Sequence, residues 1–253
     1  MKKFLAFDID DTIAVTKSPI SKTMADLFDR LLSDFDICVI SGGKFNVHRM
    51  QIIDEMQNTP KEKMAKLHIL STCGTQYFRL NINDNAWETV YKDSIPEADK
   101  TKIKQILEES ARELGLWCNE PAGEVIEDRD TQITFSALGQ DATPEDKYAW
   151  DPDNEKKLAI RDLCQKKYDK YEFRAGGTTS IDVTPFGIDK AFGMNQLIKL
   201  NKISKEDILF FGDKLQPGGN DYPVMQMGID CIEVKSQKDT EAILDAFAKL
   251  NQL

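Results

Sequence analysis

The 253-residue chain has little of what would mark a nucleic-acid binder, a disulfide-stapled protein or a membrane protein. Basic residues are outnumbered, 33 Lys and Arg against 43 Asp and Glu, and the net charge of -10 disfavours broad adhesion to nucleic acid or anionic lipid. An anionic substrate would need local positive charge set against that field. Cysteine is sparse: Cys38, Cys73, Cys118, Cys164 and Cys231 have no CxxC spacing, and an odd number fits reduced thiols better than disulfides or a zinc site. No apolar run reaches membrane-spanning length. Asp8, Asp10 and Asp11 follow Met1 too closely for a signal-peptide apolar region, so the cytoplasm is the expected address. The only two histidines, His48 and His68, lack a partner motif, and His68 beside an apolar run reads as structural.

What is present, 41% hydrophobic and 30% charged residues, is enough to bury one large core or two modest ones. Short apolar runs without alternation, Phe4 to Ile9, Ile37 to Ile40 and Ile208 to Phe211, suit strands of a parallel sheet covered on both faces. Ser21 is placed to cap a helix carrying Met24, Leu27, Phe28, Leu31 and Leu32 at helical spacing, which makes a β-α-β unit. Ala191 to Leu200 and Thr240 to Leu253 repeat the amphipathic pattern. The middle of the chain alternates instead, over Trp87 to Tyr91, Gln132 to Leu138, Glu172 to Phe173 and Ser180 to Thr184, with helices expected around Thr101 to Leu114 and Asn154 to Lys170. Asp141 to Asn154, rich in charge and proline, reads as a surface loop. The expected class is α/β: a discontinuous, doubly wound parallel-sheet core of residues 1–79 and 187–253, with an inserted α+β domain at 80–186.

All three polar clusters fall at the carboxyl ends of the expected core strands, where such sheets bind ligands. The first is Asp8-Ile9-Asp10-Asp11-Thr12. An isolated DxD of this kind is ordinarily a solvated turn. The third cluster, Gly212-Asp213-Lys214 through Gly218-Gly219-Asn220-Asp221, adds two more carboxylates after a buried strand and makes Asp213 and Asp221 natural magnesium ligands. A carboxylate is a competent nucleophile toward phosphorus, and a second carboxyl nearby is suited to moving the proton. Ser41 at a strand end, with Gly42 and Gly43 beside it, suits a phosphoryl oxygen, and Lys190 supplies a point charge. Trp117 and Trp150 read as packing residues.

The order DxDxT, Ser, Lys, GDxxxxGGND, with an insertion between the second and third motifs, resembles the haloacid dehalogenase superfamily with its large α+β cap, the type called IIB. That resemblance implies that Asp8 is nucleophile and magnesium ligand and that Asp10 is general acid/base and ligand through its carbonyl. Asp213 would complete the metal site with support from Asp221. Gly176-Gly177 through Ser180-Ile181-Asp182-Val183, Ile126-Glu127-Asp128-Arg129 and Phe135-Ser136-Ala137-Leu138-Gly139 narrow the resemblance to the eukaryotic-type phosphomannomutase family. It implies a phosphoryl shuttle between O1 and O6 of mannose primed by a hexose 1,6-bisphosphate, and a homodimer through the cap. Arg129 then matches a phosphate-binding arginine, and Ser180 and Asp182 match sugar-hydroxyl contacts. Lys17, Gln140 and Lys147 stand at substrate-binding positions where that family has arginine; lysine loses the bidentate fork and glutamine the charge as well. Asp11 stands where glycine is usual, and Ser41 is what the superfamily's phosphatases commonly carry. A sugar-phosphate phosphatase is therefore the alternative function, and a catalytically silent sugar-phosphate binder a third.

Overall fold

The structure, a computed structural model, describes residues 2–250. In chain order the strands are β1 (Phe4–Phe7), β2 (Asp36–Ile40), β3 (Leu67–Ser71), β4 (Gln76–Asn81), β5 (Ala86–Lys92) and β6 (Ile126–Asp128). They continue as β7 (Ile133–Ser136), β8 (Glu172–Ala175), β9 (Ser180–Thr184), β10 (Ile208–Gly212) and β11 (Asp230–Glu233). The chain divides into two compact units, Met1–Lys92 with Ile188–Leu253, and Asp93–Gly187.

The first unit holds a seven-stranded sheet in the order β11-β10-β1-β2-β3-β4-β5. β11, β10, β1, β2 and β3 run parallel, and β4 and β5 extend the sheet antiparallel. All four β1 residues are buried, as a strand covered on both faces requires. Phe7 stacks on Phe211 of β10, ring centroids 4.8 Å apart, at the centre of one core. Ser21 caps helix Lys22–Leu31 as its spacing predicts, its Oγ accepting the Met24 N–H at 3.0 Å. The expected break after residue 79 differs from this division: residues 80–92 cluster with the first unit because β5 pairs with β4 along its length. Trp87 to Tyr91 alternates because β5 lies at the edge of the core sheet. The last helix is described over Gln237–Leu250, and the rest of its expected range lies outside the described residues.

The second unit is a four-stranded antiparallel sheet, β6-β7-β9-β8. Ile133, Phe135, Phe173, Ile181 and Val183 form its apolar face and share a core with Ile103, Leu107, Ile160 and Cys164 of helices Glu97–Glu113 and Glu155–Lys167. Trp117 and Trp150 pack against this core. The expected loop at 141–154 contains helix Pro144–Trp150, started by Thr143, whose Oγ1 accepts the Asp146 N–H at 3.1 Å, and by proline in its first turn.

Candidate active site

Asp8 follows the last residue of β1 and extends the ladder, its N–H donating to Phe211 O at 3.0 Å. Lys190 opens helix Lys190–Asn201, where Asp189 caps the N-terminus by accepting the Phe192 N–H at 2.9 Å. Its Nζ lies 2.5 Å from Asp8 Oδ1 and 2.6 Å from Asp221 Oδ1, and all three side chains are at least 95% buried. Gly193, one turn further along, lets this helix approach the turn after β3. A Cβ on Gly193 would lie 3.0 Å from Gly74 Cα, and one on Gly74 would lie 2.2 Å from Gly193 Cα.

Carboxylate oxygens of Asp8, Asp213 and Asp221 lie within 4.8 Å of one another. Asp221 has partners on both oxygens, Lys190 on Oδ1 and the Lys214 N–H on Oδ2 at 3.1 Å, so it braces the lysine and the loop. Asp213 Oδ2 accepts from Lys214 Nζ at 2.6 Å, while its buried Oδ1 has no hydrogen-bond partner among the described residues. An all-oxygen cluster with an orphaned carboxylate oxygen fits a hard divalent cation. Burial pushes the Asp8 carboxyl up to about 6, against the pull of Lys190 and with the help of Asp221. Burial opposes the charge on Lys190 too, but the two carboxylates together hold its ammonium above the ordinary range.

Asp10 Oδ1 accepts the backbone N–H of Lys17 at 3.0 Å, which ties down the loop after β1; the Lys17 side chain is exposed. Asp11 takes a left-handed conformation, φ 58°, which explains the usual glycine there, and accepts from Thr16 Oγ1 at 3.0 Å. Ser41 follows the end of β2, and its Oγ accepts the Gly43 N–H at 3.1 Å. Gly42 leaves open space where a Cβ would stand. A contact the sequence does not announce is His48 Nε2, 3.1 Å from Ser41 Oγ, with Nδ1 3.0 Å from Lys44 O. His48 is fully buried, which lowers its pKa to about 4 and keeps the ring neutral. Its only signal in the sequence is a position seven residues after Ser41. His68 is structural, its Nδ1 2.6 Å from the Tyr77 hydroxyl.

The remaining candidates belong to the second unit. Asp182 lies opposite Thr134 across β9 and β7, and its Oδ1 accepts from Thr134 Oγ1 at 2.7 Å and Gln132 Nε2 at 2.8 Å. Burial raises the Asp182 pKa, and Arg129 works against that rise. Ser180 precedes it by two residues and so shares its face of the sheet. Arg129, just past β6, pairs with Glu127 at 2.7 Å. Gln140 has a buried Nε2 with no hydrogen-bond partner among the described residues, and Lys147 donates to the Gln140 carbonyl at 2.9 Å. Gln132 and Thr134 were invisible as site residues in the sequence, since alternation along β7 predicts only that they share a face.

Solved structures with this fold include Plasmodium falciparum IMP-nucleotidase, 19% identical, TM-score 0.71, covering 99% of this chain and 69% of that one. A haloacid dehalogenase-like hydrolase from Bacteroides thetaiotaomicron is 16% identical, TM-score 0.67, covering 98% of this chain and 100% of its own. The likeness shows a shared fold, and the carboxylate cluster stands at the carboxyl ends of its core strands. A family model described as eukaryotic phosphomannomutase matches residues 24–250, and the chain belongs to that family. Its relatives include a probable phosphomannomutase of Caenorhabditis elegans, 24% identical and covering 88% of this chain and 86% of that one. The phosphomannomutase of Babesia bovis is 26% identical, with 88% of each chain covered. Phosphoryl transfer on sugar phosphates is the activity to which these findings point. No helix among the described residues is long and apolar enough to cross a membrane.

Proposed function

We propose that this chain is a cytoplasmic, magnesium-dependent phosphomannomutase that moves a phosphoryl group between O1 and O6 of mannose through an aspartyl phosphate on Asp8. The observation that carries the reading is the meeting of Asp8, Asp213 and Asp221 around Lys190 at the carboxyl ends of β1 and β10. Asp8 forms the new bond to phosphorus while the bond to the sugar oxygen breaks, and Asp10 delivers a proton to that oxygen. In the second half Asp10 takes a proton from the other sugar hydroxyl, which receives the phosphoryl group and frees Asp8. Lys190 and Ser41 share the charge on the phosphoryl oxygens, with Gly42 and Gly43 giving the substrate close access to the backbone. Magnesium would be held by Asp8, Asp213 and the Asp10 carbonyl, with Asp221 behind them, and when bound it supplies charge neutralisation at the phosphoryl group. A hexose 1,6-bisphosphate primes Asp8. Arg129, Gln140 and Lys147 bind the substrate's other phosphate, Ser180 and Asp182 its hydroxyls, and two copies pair through the second unit. Lys17 adds charge at the substrate.

A phosphatase is the second reading, favoured by Ser41 and by the loss of three guanidinium forks at Lys17, Gln140 and Lys147. A phosphorus NMR time course with mannose 1-phosphate, magnesium and a trace of the bisphosphate separates the two. Growth of a mannose 6-phosphate signal supports the mutase. Free phosphate without the isomer rejects it in favour of the phosphatase, and no turnover that Asp8→Asn removes sinks both.

A further inference from the structure

Three side chains close a ring on the polar face of the second unit's sheet. Gln132 Nε2 donates to Thr134 Oγ1 at 2.9 Å and to Asp182 Oδ1 at 2.8 Å, and Thr134 Oγ1 donates to the same Oδ1 at 2.7 Å. Gln132 and Thr134 are each only 2% exposed. The donors run one way round, because a threonine hydroxyl that accepts from an amide still has its own proton to give. Both therefore act on one carboxylate oxygen. The other, Asp182 Oδ2, has no hydrogen-bond partner among the described residues. It faces Gly176, where an added Cβ would lie 3.0 Å away, so the missing side chain leaves room beside it. The Gln132 backbone also reaches Arg129, its carbonyl accepting the Arg129 N–H at 2.8 Å. One residue thus holds both Asp182 and the turn that carries Arg129.

We infer that Gln132 and Thr134 are positioning residues that make Asp182 a one-sided acceptor for a hydroxyl of the substrate's sugar ring. The inference rests on the reading of Asp182 as a sugar contact. The two neutral donors on Oδ1, and Arg129 with them, favour the ionised carboxylate against the burial that raises its pKa, and Oδ2 is the oxygen left to accept. The matching ligand group is a neutral hydroxyl donor, and a carboxylate or second phosphate at this spot is repelled. Sugar or polyol phosphates are selected over sugar acids with an anionic group there.

The test compares KM for mannose 1-phosphate with KM for acetyl phosphate, which has no ring to hold, in Asp182→Ala, Thr134→Val, Thr134→Ser and Gln132→Leu, each checked by thermal melting. Thr134→Val and Gln132→Leu are two independent routes to the same loss, which keeps the result readable if one misfolds. Each is expected to raise the mannose 1-phosphate KM about tenfold more than the acetyl phosphate KM, the scale of one net hydrogen bond. Thr134→Ser, which keeps the hydroxyl, stays near wild type. A rise in Asp182→Ala with Thr134→Val and Gln132→Leu unmoved overturns the inference and leaves the sugar-contact reading intact. An unmoved Asp182→Ala overturns that reading and the inference with it, as does wild-type protein that consumes acetyl phosphate but never mannose 1-phosphate.

Discussion

Around Lys190 two buried carboxylates share one ammonium, whereas around Asp182 one carboxylate oxygen takes two neutral donors. The first arrangement has more negative charge than its partners neutralise, and Asp213 Oδ1 adds another oxygen with nothing to bind. The second is balanced on one side and open on the other. A buried surplus of charge suits a cation and a transferring phosphoryl group, while a braced acceptor suits discrimination between ligands. Chemistry and recognition thus call for different treatments of the same side-chain type.

The sharpest way to break this comparison is Asp8→Asn, which removes the nucleophile and also relieves the surplus. Turnover is expected to fall by about 10⁴-fold or more, while the melting temperature in chelator rises; a melting temperature that falls would show that the pair is balanced after all. Lys190→Met strips the shared cation and leaves two carboxylates buried. It should cost about 3–5 kcal/mol in denaturant unfolding, the scale of a broken buried ion pair, and abolish most activity. A loss below about 1 kcal/mol, the worth of a solvated pair, would contradict the burial.

Acid sharpens the comparison within the first unit. His48, lowered to about 4 from 6.5, gives stability that is complete above pH 6.5 and lost as pH falls toward 4, up to about 3 kcal/mol. His68, also lowered by burial, acts in the same direction. Asp8, raised to about 6, works the other way in metal-free protein: its contribution is lost as pH rises through 6. In Asp8→Asn the loss of stability between pH 6.5 and 4 is therefore steeper than in wild type, and His48→Gln flattens it. Parallel curves for Asp8→Asn and wild type would refute the opposition. Magnesium at about 100 times its Kd should raise stability by about 2.7 kcal/mol, and Asp213→Asn should remove most of that gain in a melting titration. The smallest effect belongs to the second unit. Arg129→Met is expected to raise KM for a hexose phosphate by about tenfold with kcat on acetyl phosphate little changed; an equal fall in both would place Arg129 among the groups that act on the transferring phosphoryl.

The core was legible because its strands are buried on both faces and so appear as apolar runs, with Ser21 capping the helix beside them. The acids at positions 8 and 213 stood out because each stands at the end of such a run. β5 reads in the sequence as part of the insertion because an exposed strand alternates in the same way whether it edges the core sheet or belongs to an inserted domain. Helix Pro144–Trp150 was hidden by a proline that starts a helix as readily as it ends one. His48, Gln132 and Thr134 lie beyond what periodicity shows. Their roles arise from side chains meeting across a turn or between neighbouring strands, and no spacing rule encodes the atom each one touches.

The seam where Gly193 meets Gly74 ties the reach of Lys190 to a backbone contact between a helix and a turn. A single methyl at either position acts as a wedge under the helix that bears the ammonium. It would lengthen the gap to Asp8 without touching substrate, acid or lysine. Natural variants with alanine at 193 are thus expected to be soluble and slow, and a survey of lost function would find the cause in spacing before it found it in any reacting group.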